Sequence, residues 1–370
     1  MGICGYTYGY TAPFQIKVGT DMFKSSDIAI TTEMLSLISE IDEFKGAWQL
    51  LGRLTPERLQ ALRKVATIES IGSSTRIEGA KLSDQEIEKI LSNVKSYSFI
   101  SRDEQEVAGY AYVCQEIFQG YESMTFSENV IKQLHSWLLQ FSDKDQRHRG
   151  EYKKLSNNIE AFDATGKSLG TVFQTSSPFK TPTQMQQLTA WVHQQFQDKQ
   201  LHPLLIIGIF VVTFLAIHPF QDGNGRLSRL LTTLLLLQNG YVYVPYSALE
   251  SFIEHNKEAY YVALHKTQKT LFSNNENCTP WLIFFLQMLQ KQKRHLEQKL
   301  SREKTISTQL PIVSTKILTL LHEHGSLNIS DFERLTQTNR NTLKKHLANL
   351  TAKGMIVCLG QGKASFYTLP

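Results

Sequence analysis

Several features that would narrow the reading at once are scarce in this sequence. Four cysteines, Cys4, Cys114, Cys278 and Cys358, are scattered over 370 residues with no CxxC pair. This argues against a disulfide framework and a zinc site, and it fits reduced thiols in a cytosolic protein. The N-terminus, MGICGYTYGYTAPFQ, has no basic stretch followed by an apolar run, so no secretory signal is expected. Gly2 and Cys4 resemble a lipidation start, but Tyr6 stands where Ser or Thr is needed. Charge of one sign is also lacking: the net charge of +5 is too small, over this length, to indicate nucleic acid or membrane. The longest apolar run, Leu204 to Ile217, has 14 residues, short of the roughly 20 that a bilayer requires. A helix apolar on all sides and too short to span is expected to be the buried centre of a core. A cytoplasmic protein without membrane association is therefore expected.

The rest of the chain is rich in helix signals. Helical patterns are expected at 31–43, 103–120, 127–141, 182–197, 203–217, 224–239, 249–268 and 280–304. Thr55-Pro56-Glu57 opens a helix reaching about Ser74, with a capping hydroxyl and proline in the first turn. Ser83-Asp84-Gln85-Glu86 is a capping box. Strand material before residue 300 is confined to Ile159–Thr175, with a turn at Asp163 to Gly166. The charged run KQKRHLEQKLSREK, 291–304, predicts a solvated helix end and a boundary near residue 305. The expected organisation is a helical region over 1–110, a main helical domain over 111–305 and a third module over 306–370.

The buried helix ends in His218-Pro219-Phe220-Gln221-Asp222-Gly223-Asn224-Gly225-Arg226-Leu227-Ser228-Arg229. Proline and two glycines force a sharp loop, and a new helix begins near Asn224. The unpaired backbone N–H groups and positive dipole end of that helix make an anion site. Arg226 and Arg229, three apart, project to one side and suit a polyphosphate. Asp222 is a lone carboxylate placed to hold Mg2+, which keeps most of its shell as water and phosphate oxygen. His218 titrates near neutrality and can take a proton from a hydroxyl.

This run matches HxFx[DE]GNGRxxR at every position, and the chain thereby resembles the Fic family over about residues 20–300. The resemblance implies a mainly α fold, a Fic-type helical bundle with a small β-hairpin flap. It also implies transfer of AMP from ATP to a Ser, Thr or Tyr hydroxyl of a target protein, automodification included. By the same resemblance His218 is the general base and Asp222 the Mg2+ ligand. Gly223, Asn224 and Gly225 cradle phosphates, with Leu227 and Ser228 in the same nucleotide-binding run. Arg226 faces the β-phosphate and Arg229 the γ-phosphate.

Upstream, Ser74-Thr75-Arg76-Ile77-Glu78-Gly79 resembles the family's inhibitory motif [ST]xxxE[GN]. There Ser74, Glu78 and Gly79 form a brake, Glu78 pairing with Arg229. Without the resemblance, the same residues read as a helix end with a glycine cap and a solvated glutamate. Gly150-Glu151-Tyr152-Lys153 resembles the GxYR segment that leads into the flap, with Lys153 where Arg is common. The flap itself would lie at Thr171, Val172, Phe173 and Gln174, aligning a target by strand addition; an ordinary surface hairpin is the other reading. Tyr260-Tyr261 resembles the tyrosines that flank adenine, with Gln268 a lesser member of that pocket, and core packing is an equal reading.

Residues 308–370 resemble a winged helix-turn-helix. The expected helices are Val313–His324, one opened by a capping box at Ser330-Asp331-Phe332-Glu333, and Thr338–Lys353 with Leu343, Leu347 and Leu350 on one face. Strand-like runs at Met355–Leu359 and Ser365–Leu369 flank a wing at Gly360 to Lys363. From Thr308 onward seven Lys and Arg face three Asp and Glu, a net of +4 compatible with DNA contacts through Arg340, Lys344, Lys345 and Lys363. Protein docking is the alternative for this module. Two further functions stay open for the whole chain: hydrolysis of AMP from a modified protein, and a DNA-binding regulator with a nucleotide-sensing domain. Family relationships also allow a homodimer and other donors such as UTP or CDP-choline.

Overall fold

A computed structural model describes residues 28–50, 56–92, 99, 101–162, 168–273, 277–308, 311–360 and 365–369. In chain order these form α1 (Thr32–Leu50), α2 (Pro56–Ile77), α3 (Asp84–Ser92), α4 (Arg102–Gly120) and α5 (Glu128–Leu138). The hairpin β1 (Ile159–Phe162) and β2 (Ser168–Phe173) follows, then α6 (Thr181–Asp198), α7 (Pro203–Ile217) and α8 (Asn224–Gln238). Next come α9 (Leu249–His255), α10 (Lys257–Gln268) and α11 (Thr279–Thr308). The C-terminal part holds α12 (Ile312–His324), β3 (Ser326–Asn328), α13 (Ile329–Thr336), α14 (Arg340–Ala352), β4 (Val357–Leu359) and β5 (Phe366–Thr368). The architecture is mainly α, as expected from the sequence.

The centre of the larger unit is α7. Leu204 through Ile217 are all buried, each large side chain contributing about 1.5–3 kcal/mol of transfer free energy. Helices α6 and α8 pack against it. Gly208 brings its backbone onto α11: a Cβ there would press on Leu282 and Phe285, and Trp281 Nε1 donates to the Gly208 carbonyl at 2.7 Å. Gly109 does the same for α4, whose backbone lies against the Leu138 carbonyl of α5. No helix among the described residues is long and apolar enough to cross a membrane.

Local differences from the expected elements have identifiable causes. The helix expected over 249–268 breaks at Asn256, whose φ of −119° and ψ of 33° leave the helical region; its side-chain amide instead donates to the Phe252 carbonyl at 2.7 Å. The capping box of α13 starts at Asn328, whose Oδ1 accepts from Ser330 and Asp331 N–H while Asp331 answers to the Asn328 N–H. Ser330 therefore lies inside the helix instead of capping it. The strand β3 was not anticipated. The hairpin turn after Phe162 and most of the wing after Gly360 lie outside the described residues.

The chain divides into two compact units between Lys293 and Arg294, within α11, instead of near residue 305. The helices before residue 111 belong to the same unit as the main domain. In the second unit, Ile317, Leu321, Leu327, Phe332, Leu343, Leu347, Leu350 and Ile356 form one core under an antiparallel sheet of order β3-β5-β4. Leu343, Leu347 and Leu350 share the buried face of α14, as their spacing predicts.

Candidate active site

His218 caps α7 in the left-handed region, with φ 54° and ψ 60°. A non-glycine residue holds this conformation only where its surroundings over-determine it. Its Nδ1 lies 3.3 Å from the Leu215 carbonyl, so this nitrogen carries the proton and Nε2 is the acceptor. Burial pushes the imidazole down to about 4, which keeps it neutral at physiological pH. A neutral ring with a bare Nε2 can accept a proton from a hydroxyl.

Gly223, at φ 78°, turns the chain into α8. The Asn224 side chain braces this turn from within: Oδ1 accepts from the Phe220 N–H at 2.9 Å and Nδ2 donates to the Phe220 carbonyl at 2.7 Å. Its carboxamide is thus committed to the loop, and the anion site is left to backbone N–H groups at the start of α8. Leu227 and Ser228 do not join that cradle. The Leu227 N–H is taken by the Gly223 carbonyl, and the Ser228 hydroxyl by that of Gly225 at 2.8 Å.

The two guanidinium groups are buried and paired on different sides. Arg226 Nη1 lies 3.1 Å from Glu106 of α4, and Nη2 lies 3.4 Å from Asp222 Oδ1. Arg102 closes a ring of alternating charge, 2.8 Å from Glu106 and 3.0 Å from Asp222 Oδ2. Arg229 donates from Nε to Ser74 Oγ at 2.8 Å and from Nη2 to the Ser74 carbonyl at 2.9 Å. The same Nη2 meets Glu78 Oε1 at 2.7 Å. Burial works to raise the Glu78 carboxyl, but Arg229, Arg226 and His218 outweigh it and hold it below the usual carboxylate range. Any Cβ on Gly225 would collide with the Glu78 carboxylate, so that group sits directly over the start of α8. The end of α2 is pinned there: Arg76 bonds Glu254 at 2.8 Å, and Lys257 Nζ reaches the Ile77 carbonyl at 2.8 Å. Gly79, at φ 107°, then turns the chain away.

Not every guanidinium nitrogen is satisfied. Arg226 Nε and Nη1 and Arg229 Nη1 are buried without a hydrogen-bond partner among the described residues, Arg226 Nη1 being in ion-pair contact with Glu106; such nitrogens fit an anion with several oxygens. Asp222 is the carboxylate beside it, held below the ordinary range because Arg226, the Gly223 N–H and Arg102 outweigh burial. Among the described residues no cluster of three or more His, Cys, Asp or Glu could cage a metal. A single carboxylate suits Mg2+, which draws its other ligands from phosphate and water.

Other expected residues fall in varied places. Tyr260 is buried, its ring 5.7 Å from Trp281 and 5.9 Å from Phe284 and its hydroxyl interacting with Arg229, whereas Tyr261 is 44% exposed. Gln268 is buried in the last turn of α10 and bonds none of the other site residues described. Thr171 pairs with Glu160 and Phe173 with Ile159 in the hairpin. The side chains of Thr171 and Val172 lie outside the described residues, and Gln174 is exposed.

Four residues of the site were missed from sequence: Arg102, Glu106, His135 and Asn157. Burial pushes His135 down to about 4, so it is neutral too. It accepts from the Gly150 N–H at Nδ1, 2.8 Å, which leaves Nε2 to donate to the Asp222 carbonyl at 3.0 Å. Its ring stacks on Phe220 at 3.8 Å.

Residues 125–236 match the Fic/DOC family. The chain is 28% identical over 210 residues to a probable protein adenylyltransferase of Aquifex aeolicus, covering 56% of this chain and 58% of that one. It is 26% identical over 223 residues to the protein adenylyltransferase Fic of Drosophila virilis, covering 59% and 42%. It thus spans about half the length of these curated relatives. Among solved structures it is similar in fold to a Fic family protein from Desulfovibrio desulfuricans, with a TM-score of 0.61, 23% identity, and coverage of 93% and 98%. Fic-1 of C. elegans gives a TM-score of 0.57 with 18% identity, covering 73% and 72%.

Proposed function

We propose, for a chain whose residues 125–236 are a Fic/DOC family domain, that it transfers AMP from ATP to a Ser, Thr or Tyr hydroxyl of a target protein, itself included. One observation carries this reading: a neutral His218 with a bare Nε2 stands at the loop that leads into α8, whose first turns carry Arg226 and Arg229, each with a buried guanidinium nitrogen lacking a hydrogen-bond partner. The names of the relatives, adenylyltransferases, support the same chemistry.

The hydroxyl oxygen forms a bond to the α-phosphorus, and its proton passes to His218 Nε2. The bond from the α-phosphorus to the bridging oxygen of the β-phosphate breaks, and pyrophosphate leaves with the bonding pair. The free N–H groups of α8 and the guanidinium of Arg226 hold the charge that develops on the phosphates. Asp222 would hold Mg2+, which neutralises part of the triphosphate charge when bound. Most of the rate gain is positioning and charge stabilisation.

Glu78 supports a brake on this activity. Its carboxylate covers Gly225 and occupies Arg229, the group assigned to the γ-phosphate. ATP must then bind in a pose unsuited to attack, or Glu78 must leave. The test is parallel incubation of full-length wild type, Glu78→Gly and Glu78→Gly/His218→Ala with α-labelled and γ-labelled ATP. Glu78→Gly should label itself from the α position alone, about 10- to 100-fold faster than wild type, the kinetic equivalent of one charge-assisted hydrogen bond. The double variant should be silent. Label from the γ position would indicate phosphorylation, and equal labelling of wild type and Glu78→Gly would remove the brake.

A second activity follows from the place of the Glu78 carboxylate over the start of α8, beside the same loop: removal of AMP from a modified protein, with Glu78 as base for a water. Loss of label from prelabelled protein, dependent on Glu78, would identify it. For the second unit, the arrangement of α12 to α14 with β3 to β5 supports a winged-helix module, and Lys344 and Lys345 are exposed on α14. We read it as a binding module, for DNA or for protein, that gel-shift measurements can assign.

A further inference from the structure

The loop that carries His218 is held by its carbonyl groups, and they are taken up one after another by a single short segment. Lys153 Nζ donates to the Ile217 carbonyl at 3.0 Å, and Asn157 Nδ2 to the His218 carbonyl at 3.3 Å. The Lys153 backbone N–H donates to the Pro219 carbonyl at 2.8 Å, and Asn157 Nδ2 to that of Phe220 at 2.6 Å. The other two hydrogens of the ammonium go to Asn157 Oδ1 at 2.7 Å and to Thr175 Oγ1 at 3.0 Å. Thr175 lies just beyond β2, and Ser176 N–H reaches back to the Ala216 carbonyl at 3.4 Å. All three donors of the ammonium are therefore used, each on a different segment.

This is an expensive way to tie a loop. Lys153 is buried, and burial pushes its amine down to about 8. Its place at the C-terminal carbonyls of α7 recovers part of that cost through the helix dipole. What the arrangement secures is the left-handed backbone of His218, which a non-glycine residue keeps only under external constraint.

We propose that Lys153 is a positioning residue, which fixes the catalytic imidazole and joins its place to that of the strand end at Thr175. A target segment seated along β2 would then bear on the same ammonium that orients the base. The inference rests on the proposed AMP transfer for its kinetic arm alone.

The test uses full-length protein. In the Glu78→Gly background, Lys153→Met should lower kcat for automodification about 10- to 100-fold, the effect of a displacement near 1 Å, while KM for ATP stays within about twofold. Equal loss in kcat and gain in KM, or an unchanged kcat, would overturn the proposal. With Glu78 intact, histidine-labelled protein is compared by NMR: Lys153→Met should shift the ring signals of His218 and leave those of His202, bonded to Asp42 far from this network, in place. Unmoved His218 signals would overturn it equally. If Glu78→Gly shows no transfer at all, the enzymatic reading has failed and the NMR comparison still decides the role of Lys153. Should Lys153→Met not fold, Thr175→Val leaves the ammonium in place and removes the hydroxyl that accepts from it and donates to Asn157 Oδ1 at 3.0 Å. It should cost kcat about threefold or more with KM unchanged, and no loss would refute the link.

Discussion

Arg226 and Arg229 stand one turn apart on α8, yet they are held by partners of different kinds. Arg226 is tied to Glu106, itself nearly buried, and to Asp222 in its own loop. Arg229 is tied to Glu78 on α2, whose side chain is 34% exposed, and to Ser74. Glu106 has little access to water and is held by two arginines, Arg226 and Arg102, whereas the third-exposed Glu78 can turn to solvent or, under the proposed reaction, yield to a phosphate. One side of the anion site is consequently permanent framework, and the other is exchangeable.

The widest separation between the two sides should come from truncating each arginine. Arg226→Ala leaves the nearly buried Glu106 to the exposed Arg102 alone, and also frees Asp222, and should cost about 3 kcal/mol. Arg229→Ala should cost about 1–3 kcal/mol, since Glu78 can rehydrate. Urea unfolding midpoints measure both; equal losses would erase the distinction. An effect of comparable size, on the order of 3 kcal/mol, concerns His135, which supports the framework side by holding the Asp222 carbonyl. In the unfolded chain it binds a proton near pH 6.5, while burial delays this in the folded protein to about 4. The unfolded state holds more protons in that window, so its contribution is complete above pH 6.5 and is lost as pH falls toward 4. His135→Gln should flatten this acid slope in unfolding curves taken between those limits. The least effect should come from Arg102, the exposed member of the ring. Arg102→Ala should change stability by less than about 1 kcal/mol and, by freeing Asp222, lower the Mn2+ needed for half-saturation about two- to fivefold, read by electron paramagnetic resonance.

What the sequence made legible follows the same division between local and distant. The buried α7, the glycine-led start of α8 and the order of His218, Asp222 and the arginines are contiguous, so spacing alone arranges them. The Glu78 pairing spans 151 positions and was reached through resemblance, not geometry. Glu106 and Arg102 read as ordinary solvent-facing charges in the first turns of α4, and only packing against the Asp222 loop reveals their use. One signal for His135 was available: it falls on the apolar face of α5, beside Ile131, Leu134 and Leu138. The break at Asn256 depends on a side chain competing for its own helix carbonyl, which periodicity does not report. Tyr260 and Tyr261 are adjacent in sequence, but neighbouring helical positions point about 100° apart, so one is core and the other is open.

If Glu78 is the proposed brake, Gly225 limits how it could be released. Any larger residue there would displace the Glu78 carboxylate, and in the proposed reaction the same atoms would fill the space that phosphate oxygens need at the backbone. Freedom from the glutamate gained on α8 would therefore forfeit the substrate. On the proposed reading, mutational routes to a constantly active form run through α2 or its anchors on α9 and α10, leaving Gly225 untouched.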